Sequence, residues 1–174
     1  MKRLIMVLFI ALAFSVVASA QVRIDLGIDV PLSVGAVAEG IGLVGDPLDL
    51  PVTLPFPSAG LYYRLGDGGL RFGVGARMYS LVFISLVWPN AFVELELGPV
   101  VLAGQVGGGA FFMFGLLGNR TEFGQVFMPD VSAWFKLGDT FRVGAGAIGL
   151  FLPDVTSEAL PVVFYLGVKA AMNL

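Results

Sequence analysis

Hydrophobic and polar residues alternate along most of the chain with a period of two. From Val22 to Leu32 every even-numbered residue is apolar, and the positions between them include Arg23, Asp25 and Asp29. Successive side chains of a β-strand point to opposite faces, whereas a helix would mix the two sets around its circumference. The pattern therefore predicts a β-strand from residue 21 with one apolar and one polar face.

The same alternation returns seven more times, which predicts eight strands in all. We place the seven further strands at residues 58–65, 69–79, 90–97, 100–113, 125–137, 140–151 and 162–174. The connections after the second, fourth and sixth strands are tight. The other connections are longer, at about residues 33–57, 80–89, 114–124 and 152–161. Short turns on one side and long loops on the other are typical of bacterial outer-membrane barrels.

The charged residues of the predicted strands all lie on the face opposite the apolar one. They are Arg23, Asp25, Asp29, Arg64, Arg71, Arg77, Glu94, Glu96, Asp130, Lys136, Arg142 and Lys169. A basic residue that faces lipid at the membrane midplane costs about 2–4 kcal/mol, so the apolar face should contact lipid and the charged face should line the lumen. The predicted fold is an all-β, antiparallel, up-and-down transmembrane β-barrel of eight strands.

Composition favours this fold over its alternatives. Charged residues make up only 13% of the chain and the mean hydropathy is +0.89, whereas soluble domains have about 25% charged residues. A soluble lipocalin-like barrel would need a polar outer face. A helical membrane protein could use the uncharged segment 97–119, but that segment contains glycines in its interior, at Gly104, Gly107, Gly108 and Gly109, which are costly in a helix.

The first twenty residues have the features of a signal peptide. Lys2 and Arg3 precede an apolar run over residues 4–14, and Ala18-Ser19-Ala20 fits a cleavage site. A retained anchor is the alternative, but the apolar run is short for a spanning helix. We therefore expect a signal peptide at 1–20 and an outer-membrane β-barrel domain at 21–174, with periplasmic termini and the long loops outside.

The whole of 21–174 resembles the small outer-membrane barrels typified by OmpX and the membrane domain of OmpA. The last strand is the most specific part, because its apolar residues alternate without a break from Val162 to Leu174. It resembles the signal read by the barrel-assembly machinery at Tyr165, Gly167, Ala170, Met172 and Leu174, although that signal usually ends in Phe. The resemblance implies two partners, outer-membrane lipid and the barrel-assembly machinery.

The lumen charges predict a structural ion-pair network near the periplasmic end. An eight-stranded barrel is just wide enough for side chains to fill it. Counting back from the tight turns places Arg64 opposite Arg71 and Lys136 opposite Arg142, and like charges directly opposite are destabilising. Acidic counter-ions are therefore expected, and the predicted network is Arg23, Asp25, Arg64, Arg71, Glu94, Glu96, Lys136, Arg142 and Lys169.

Nothing in the sequence indicates catalysis. The chain has no His and no Cys, and the enzymes known among small outer-membrane barrels carry an active-site His. Glu94 and Glu96 share one strand face as an acid/base pair would, but we favour their interpretation as counter-ions. We expect no catalytic, cofactor or metal site. Residues 21–174 contain eight basic and 13 acidic residues, a net charge of −5, which disfavours nucleic-acid binding.

The outer half of the lumen leaves two functions open. Inward residues there form a candidate apolar vestibule that resembles the OmpW kind of barrel: Phe92, Phe111, Met113, Ile148, Leu150 and Val163. The inward glycines would alternatively make room for large side chains that fill the lumen. The first hypothesis is a non-enzymatic, surface-exposed structural or interaction barrel with a filled lumen. The alternative is a narrow pore or binding barrel for small apolar molecules.

The predicted loop at 33–57 is a second candidate site. It is more apolar than solvated loops usually are, and an exposed apolar patch indicates contact with another molecule. We expect either an extracellular partner or an apolar ligand at the loops, or else a cap that folds over the barrel mouth.

Overall fold

The computed structural model is a barrel of long antiparallel β-strands. It describes residues 21–38, 42–43, 48–49, 54–66, 68–81, 83–116, 118–151 and 159–174, so the expected signal peptide lies outside the described residues. The strands are β1 (Gln21–Ala38), β2 (Gly42–Leu43), β3 (Leu48–Asp49), β4 (Phe56–Leu65), β5 (Leu70–Leu81), β6 (Ile84–Leu97), β7 (Val100–Gly115), β8 (Arg120–Leu137), β9 (Phe141–Gly149) and β10 (Ala159–Asn173). No helix in these ranges is long and apolar enough to cross a membrane.

The sheet closes on itself. Each long strand pairs antiparallel with the next long strand in the chain, and β10 pairs back with β1 over a ladder from Arg23–Asn173 to Ala38–Ala159. The two-residue strands β2 and β3 pair with β1 near its end and add nothing to the barrel wall. The predicted all-β fold of eight antiparallel strands in up-and-down order is confirmed.

Several strands are longer than predicted. β6 begins at Ile84 instead of residue 90, and β8 begins at Arg120 instead of residue 125. The long loops predicted at 80–89 and 114–124 are therefore wrong, because only residues 82–83 and 116–119 connect these strands. The prediction failed at bulges: the β6–β7 register shifts between Val87 and Asn90, and a bulge interrupts the period of two.

The two ends of the barrel differ. Residues 66–69, 98–99 and 138–140 connect strands at one end, which we call the turn end; the opposite end is the loop end. Gly66, Gly98 and Gly138 have φ angles of 90°, 64° and 76°, which glycine adopts at little cost. Leu174 also lies at the turn end, where its backbone N–H donates to the carbonyl of Val22 at 2.8 Å.

The polarity of the barrel is inverted relative to that of a soluble protein. None of the twelve charged strand residues predicted to face the lumen is exposed, and Glu94 and Asp130 are each only 2% exposed. The outer wall is apolar and open, as at Val131, which is 70% exposed. The alternation along each strand thus places charge inside and aliphatic surface outside.

Inward glycines accommodate aromatic rings. A Cβ atom at Gly146 would overlap the Tyr165 hydroxyl, and a Cβ atom at Gly107 would overlap the Trp88 ring. Gly73 faces the Phe92 ring in the same way. These rings occupy the space that side chains would otherwise take, so the glycines allow large groups to fold across the lumen.

Gly146→Ala should therefore destabilise the barrel, because the added methyl group displaces Tyr165. We expect the free energy of unfolding to fall by about 1–3 kcal/mol. The matched control is Gly104→Ala on the outer wall, where the nearest atom to the new Cβ is Val93 Cγ1 at 3.5 Å. That change should be neutral or stabilise by up to about 1 kcal/mol. Urea unfolding of the refolded barrel in lipid vesicles measures both, and equal effects would contradict this packing.

Candidate functional site

The lumen contains three layers between the turn end and the loop end. The basal cluster, nearest the turns, consists of Arg23, Asp25, Arg71, Glu94, Glu96, Lys136, Arg142 and Lys169. The median cluster consists of Asp29, Tyr62, Arg77, Tyr79, Asn90, Gln105, Asp130 and Tyr165. Above it, at the loop end, is an apolar cavity that we call the vestibule.

Glu94 is the centre of the basal cluster. The two guanidinium nitrogens Nη1 and Nη2 of Arg23 donate to its carboxylate oxygens at 2.6 and 2.8 Å. Arg142 Nη1 donates at 2.9 Å, and Lys169 Nζ lies 4.0 Å away. A buried carboxylate is tolerated when cations and hydrogen bonds compensate its lost hydration, and Glu94 has both.

The cations of this cluster have further partners. The Arg23 guanidinium also donates to Asp25, with its Nε 2.6 Å from Oδ1, and stacks over the Phe92 ring at 4.9 Å. Lys169 Nζ lies 4.1 Å from the centre of the Trp134 ring. Aromatic faces attract cations, so these rings stabilise positive charge that the three carboxylates leave uncompensated.

Glu96 forms a second group closer to the turn end. Arg71 Nη1 and Lys136 Nζ each lie 2.6 Å from one of its oxygens. Lys136 does lie opposite Arg142. Each of the two glutamates is thus surrounded by basic groups, an arrangement suited to counter-ions rather than to proton transfer.

Arg64 departs from its predicted position. It lies opposite Gly73 and not opposite Arg71, because the hairpin places Leu65 opposite Phe72 and leaves Arg71 outside the ladder. The predicted pairing is therefore wrong. Arg64 instead donates to Gln21 Oε1 at 2.6 Å and to Asn173 Oδ1 at 3.3 Å, near both ends of the described barrel.

The median cluster spans the lumen around one guanidinium group. Arg77 Nη1 donates to Asp130 Oδ2 at 2.5 Å, and Nη2 lies 3.6 Å from Asp29 Oδ2. The Tyr79 hydroxyl accepts from Arg77 at 2.5 Å and donates to Asp29 at 2.9 Å. The Tyr165 hydroxyl donates to Asp130 at 2.9 Å. These five side chains come from β1, β5, β8 and β10, so the cluster connects strands on different sides of the lumen.

Two side-chain amides continue the median cluster on the opposite side. Gln105 Oε1 accepts from Arg77 Nη1 at 3.2 Å and from Asn90 Nδ2 at 2.8 Å. Asn90 Nδ2 also donates to the Tyr62 hydroxyl at 3.2 Å. The sequence placed Asp29, Arg77 and Asp130 on the lumen face but did not group them. The one sequence feature that these three residues share is a position in the middle of a strand, close to tyrosine and amide side chains that also face the lumen.

Little space separates the two clusters. A cavity of about 20 Å³ lies between them, bordered by Asp25, Asp29, Arg77, Trp134 and Lys169 among others. Such a volume holds about one water molecule. Within the described residues, no group of three or more His, Cys, Asp or Glu side chains could hold a metal ion. The arrangement is suited to closing the lumen.

The vestibule has a volume of about 450 Å³. Its walls are aliphatic, and its floor belongs partly to the median cluster. The wall residues are Pro31, Ile84, Leu86, Met113, Ile148 and Val163, and the floor residues are Asp29, Phe56, Tyr79 and Tyr165. A cavity of this size falls in the range of roughly 300–1,000 Å³ found for small-molecule sites.

Three of the six residues predicted for the vestibule line it: Met113, Ile148 and Val163. Phe92 does not, because β6 begins six residues earlier than predicted and Phe92 lies deeper, under Arg23. Phe111 packs against Trp88 with ring centres 6.2 Å apart, and Leu150 lies just beyond β9, 38% exposed. Ile84 and Leu86, from the missed start of β6, take their places.

Glu94→Gln should strongly destabilise the barrel, because it leaves Arg23, Arg142 and Lys169 without their shared buried anion. We expect a loss of about 3–5 kcal/mol in the free energy of unfolding. Glu96→Gln is the matched control: its side chain is 19% exposed, and solvent screening should limit its loss to about 1 kcal/mol. Urea unfolding in lipid vesicles measures both. A Glu94 variant as stable as the unmodified protein would refute the proposed network.

No family model and no curated protein sequence matches this chain. Solved structures are similar to it. Neisserial surface protein A is 13% identical, covers 86% of this chain and 96% of its own, and has a TM-score of 0.44. The N-terminal β-barrel domain of Pseudomonas aeruginosa OprF is 11% identical, with 87% and 97% covered and a TM-score of 0.48. Ail, the attachment invasion locus protein of Yersinia pestis, is 14% identical, with 88% and 99% covered and a TM-score of 0.41. At these identities the likeness concerns the overall fold and no particular residue of the lumen.

Proposed function

We propose that the protein is a non-enzymatic integral barrel of a bacterial outer membrane, exposed at the surface and with its lumen filled by side chains. The inverted polarity of the barrel carries this proposal. Exposed apolar surface costs about 25 cal/mol per Å² in water, and here it covers the outer wall, as at Leu61, Val74 and Val131. A lipid bilayer removes that cost.

Aromatic residues on the outer wall support the same proposal. Tyr63, Phe72 and Phe141 are exposed near the turn end, while Phe112 and Phe127 are exposed near the loop end. Aromatic side chains favour the two membrane–water interfaces, with aliphatic residues between them. The spacing of these two belts along the strands suits one bilayer crossing per strand.

The ends of the barrel suggest its orientation. In outer-membrane barrels the short turns and both termini are periplasmic, so the turn end would face the periplasm and the loop end the outside. Export by residues 1–20 is part of this proposal. The outer wall near the turn end carries the half-buried Ala170 and Met172, followed by the exposed Leu174, where the barrel-assembly machinery would read them. Tyr165 and Gly167 point into the lumen.

The vestibule favours a second role, the binding of small apolar molecules. Its walls are aliphatic, and its 450 Å³ suit a small ligand. The median cluster forms the floor, so a ligand that enters from the loop end would be held and would not pass through. We therefore favour a binding barrel over a narrow pore. Contact with an extracellular partner at the loops belongs to the same proposal. The predicted loop at 33–57 is the candidate for this contact, but most of residues 39–53 lies outside the described residues.

Val131→Lys should reveal whether the outer wall contacts lipid. Val131 lies at mid-height on β8, opposite Gly104 and Ala147, so a lysine there would cost about 2–4 kcal/mol in a bilayer. Leu137→Lys is the control on the same strand; Leu137 is 54% exposed at the turn end, and its loss should be about 0–1 kcal/mol. Unfolding in lipid vesicles measures both. Two neutral substitutions would mean that water, not lipid, covers this wall.

A filled lumen should not conduct ions. We expect no single-channel openings when the refolded barrel is inserted into a planar bilayer, with folding verified by heat-shifted migration on a gel. A large porin in the same bilayer is the positive control. Steady openings of the folded barrel would refute the filled lumen and favour the pore.

A further inference from the structure

We propose that the vestibule recognises an organic cation with an apolar tail, and that Asp29 is the counter-ion of the cationic head. This inference rests on the proposed binding role and adds the chemistry of the ligand. The walls and the floor of the vestibule differ in their chemistry. Among the described residues that line the vestibule, Asp29 is the only charged one. Arg77 lies beneath the floor and does not line the cavity.

The charges of the median cluster do not cancel. Arg77 is shared between two carboxylates, at 2.5 Å from Asp130 and 3.6 Å from Asp29. Two carboxylates and one guanidinium group leave one negative charge. Lys169 of the basal cluster borders the same small cavity as Asp29, but it is engaged with Glu94 and the Trp134 ring. The basal cluster lies farther toward the turn end and has more basic groups than carboxylates, so the negative charge is local to the floor of the vestibule. A cation in the vestibule would balance this local charge, whereas Asp29 would repel an anion.

Aromatic rings adjoin Asp29 on the floor. Phe56, Tyr79 and Tyr165 line the vestibule, and the Phe56 and Tyr79 rings meet edge to face with centres 6.5 Å apart. Rings of this kind attract cations, and quaternary ammonium groups are bound in proteins by such aromatic surfaces. Because the bond from the Tyr79 hydroxyl to Asp29 already orients the carboxylate, the floor is prepared for a charged head.

The walls suit the rest of the ligand. Leu86, Met113 and Val163 are among the aliphatic groups that line them, and the volume of about 450 Å³ leaves room for a short alkyl chain. Methionine adapts its shape to irregular apolar ligands. The combination therefore specifies an alkylammonium compound with its head at Asp29 and its tail toward the loop end.

Isothermal titration of the refolded barrel in lipid nanodiscs tests this, with empty nanodiscs as the baseline. The three probes are hexyltrimethylammonium, 1-hexanol and hexanoate. Each has an unbranched alkyl chain of five or six carbons, and they differ in the charge of the head group. We expect hexyltrimethylammonium to bind about tenfold more tightly than hexanol, and hexanoate to bind more weakly than both. Equal affinities, or tightest binding of hexanoate, would overturn the proposed head-group recognition but leave the binding role intact. No binding of any probe would overturn both.

Variants distinguish the contribution of the Asp29 charge to binding from that of the open volume of the vestibule. Asp29→Asn keeps the shape of the floor and should lower the affinity for hexyltrimethylammonium about tenfold while leaving that for hexanol unchanged. Glu122→Gln removes a carboxylate that is 50% exposed near the loop end and should change neither affinity. Met113→Trp fills the vestibule without touching the clusters and should abolish binding of both probes. A cation preference that survives Asp29→Asn, or binding that survives Met113→Trp, contradicts the assignment.

Discussion

The ladder between β1 and β10 joins the first and last strands of the described chain, and the other features of the barrel depend on it. A sheet in lipid cannot leave edge N–H and C=O groups unpaired, so strands cross a membrane only as closed barrels. Closure by these two strands gives each of the eight long strands two neighbours. It also separates an inside from an outside, and the period of two then decides which side chains go to each.

Closure with eight strands makes the lumen narrow, and the narrowness determines its chemistry. Charged side chains cannot keep a full hydration shell there, so each needs an oppositely charged group, a hydrogen bond or an aromatic ring. Glu94 and Arg77 satisfy this requirement by contacting groups from several strands. The inward glycines contribute by leaving room for Trp88, Phe92 and Tyr165. Charge compensation and glycine packing together account for a lumen with so little space between its clusters.

Alternation along the chain was sufficient to predict the number of long strands that form the wall, their order and the face on which each charge lies. Register and depth were not predictable in this way. The bulge near Val87 concealed the first part of β6 and misplaced Phe92, and the turn conformation moved Arg64 away from Arg71. Both depend on local backbone geometry that hydrophobic periodicity does not encode. The median cluster was missed for another reason. Arg77 and Asp130 lie on strands that are not neighbours, and only the closed barrel brings them together.

The median cluster links the two proposed properties of the lumen. Arg77 pairs with both Asp29 and Asp130, and in the proposed filled lumen this contact blocks the passage between the two ends. The same sharing leaves Asp29 incompletely compensated at the floor of an apolar cavity, beside Phe56, Tyr79 and Tyr165. A second basic residue at this height would neutralise the floor, and a missing Arg77 would leave two carboxylates unpaired. With a single guanidinium between two carboxylates, the proposed filled lumen would carry the proposed cation site on its outer side, and a ligand bound there would leave by the loop end.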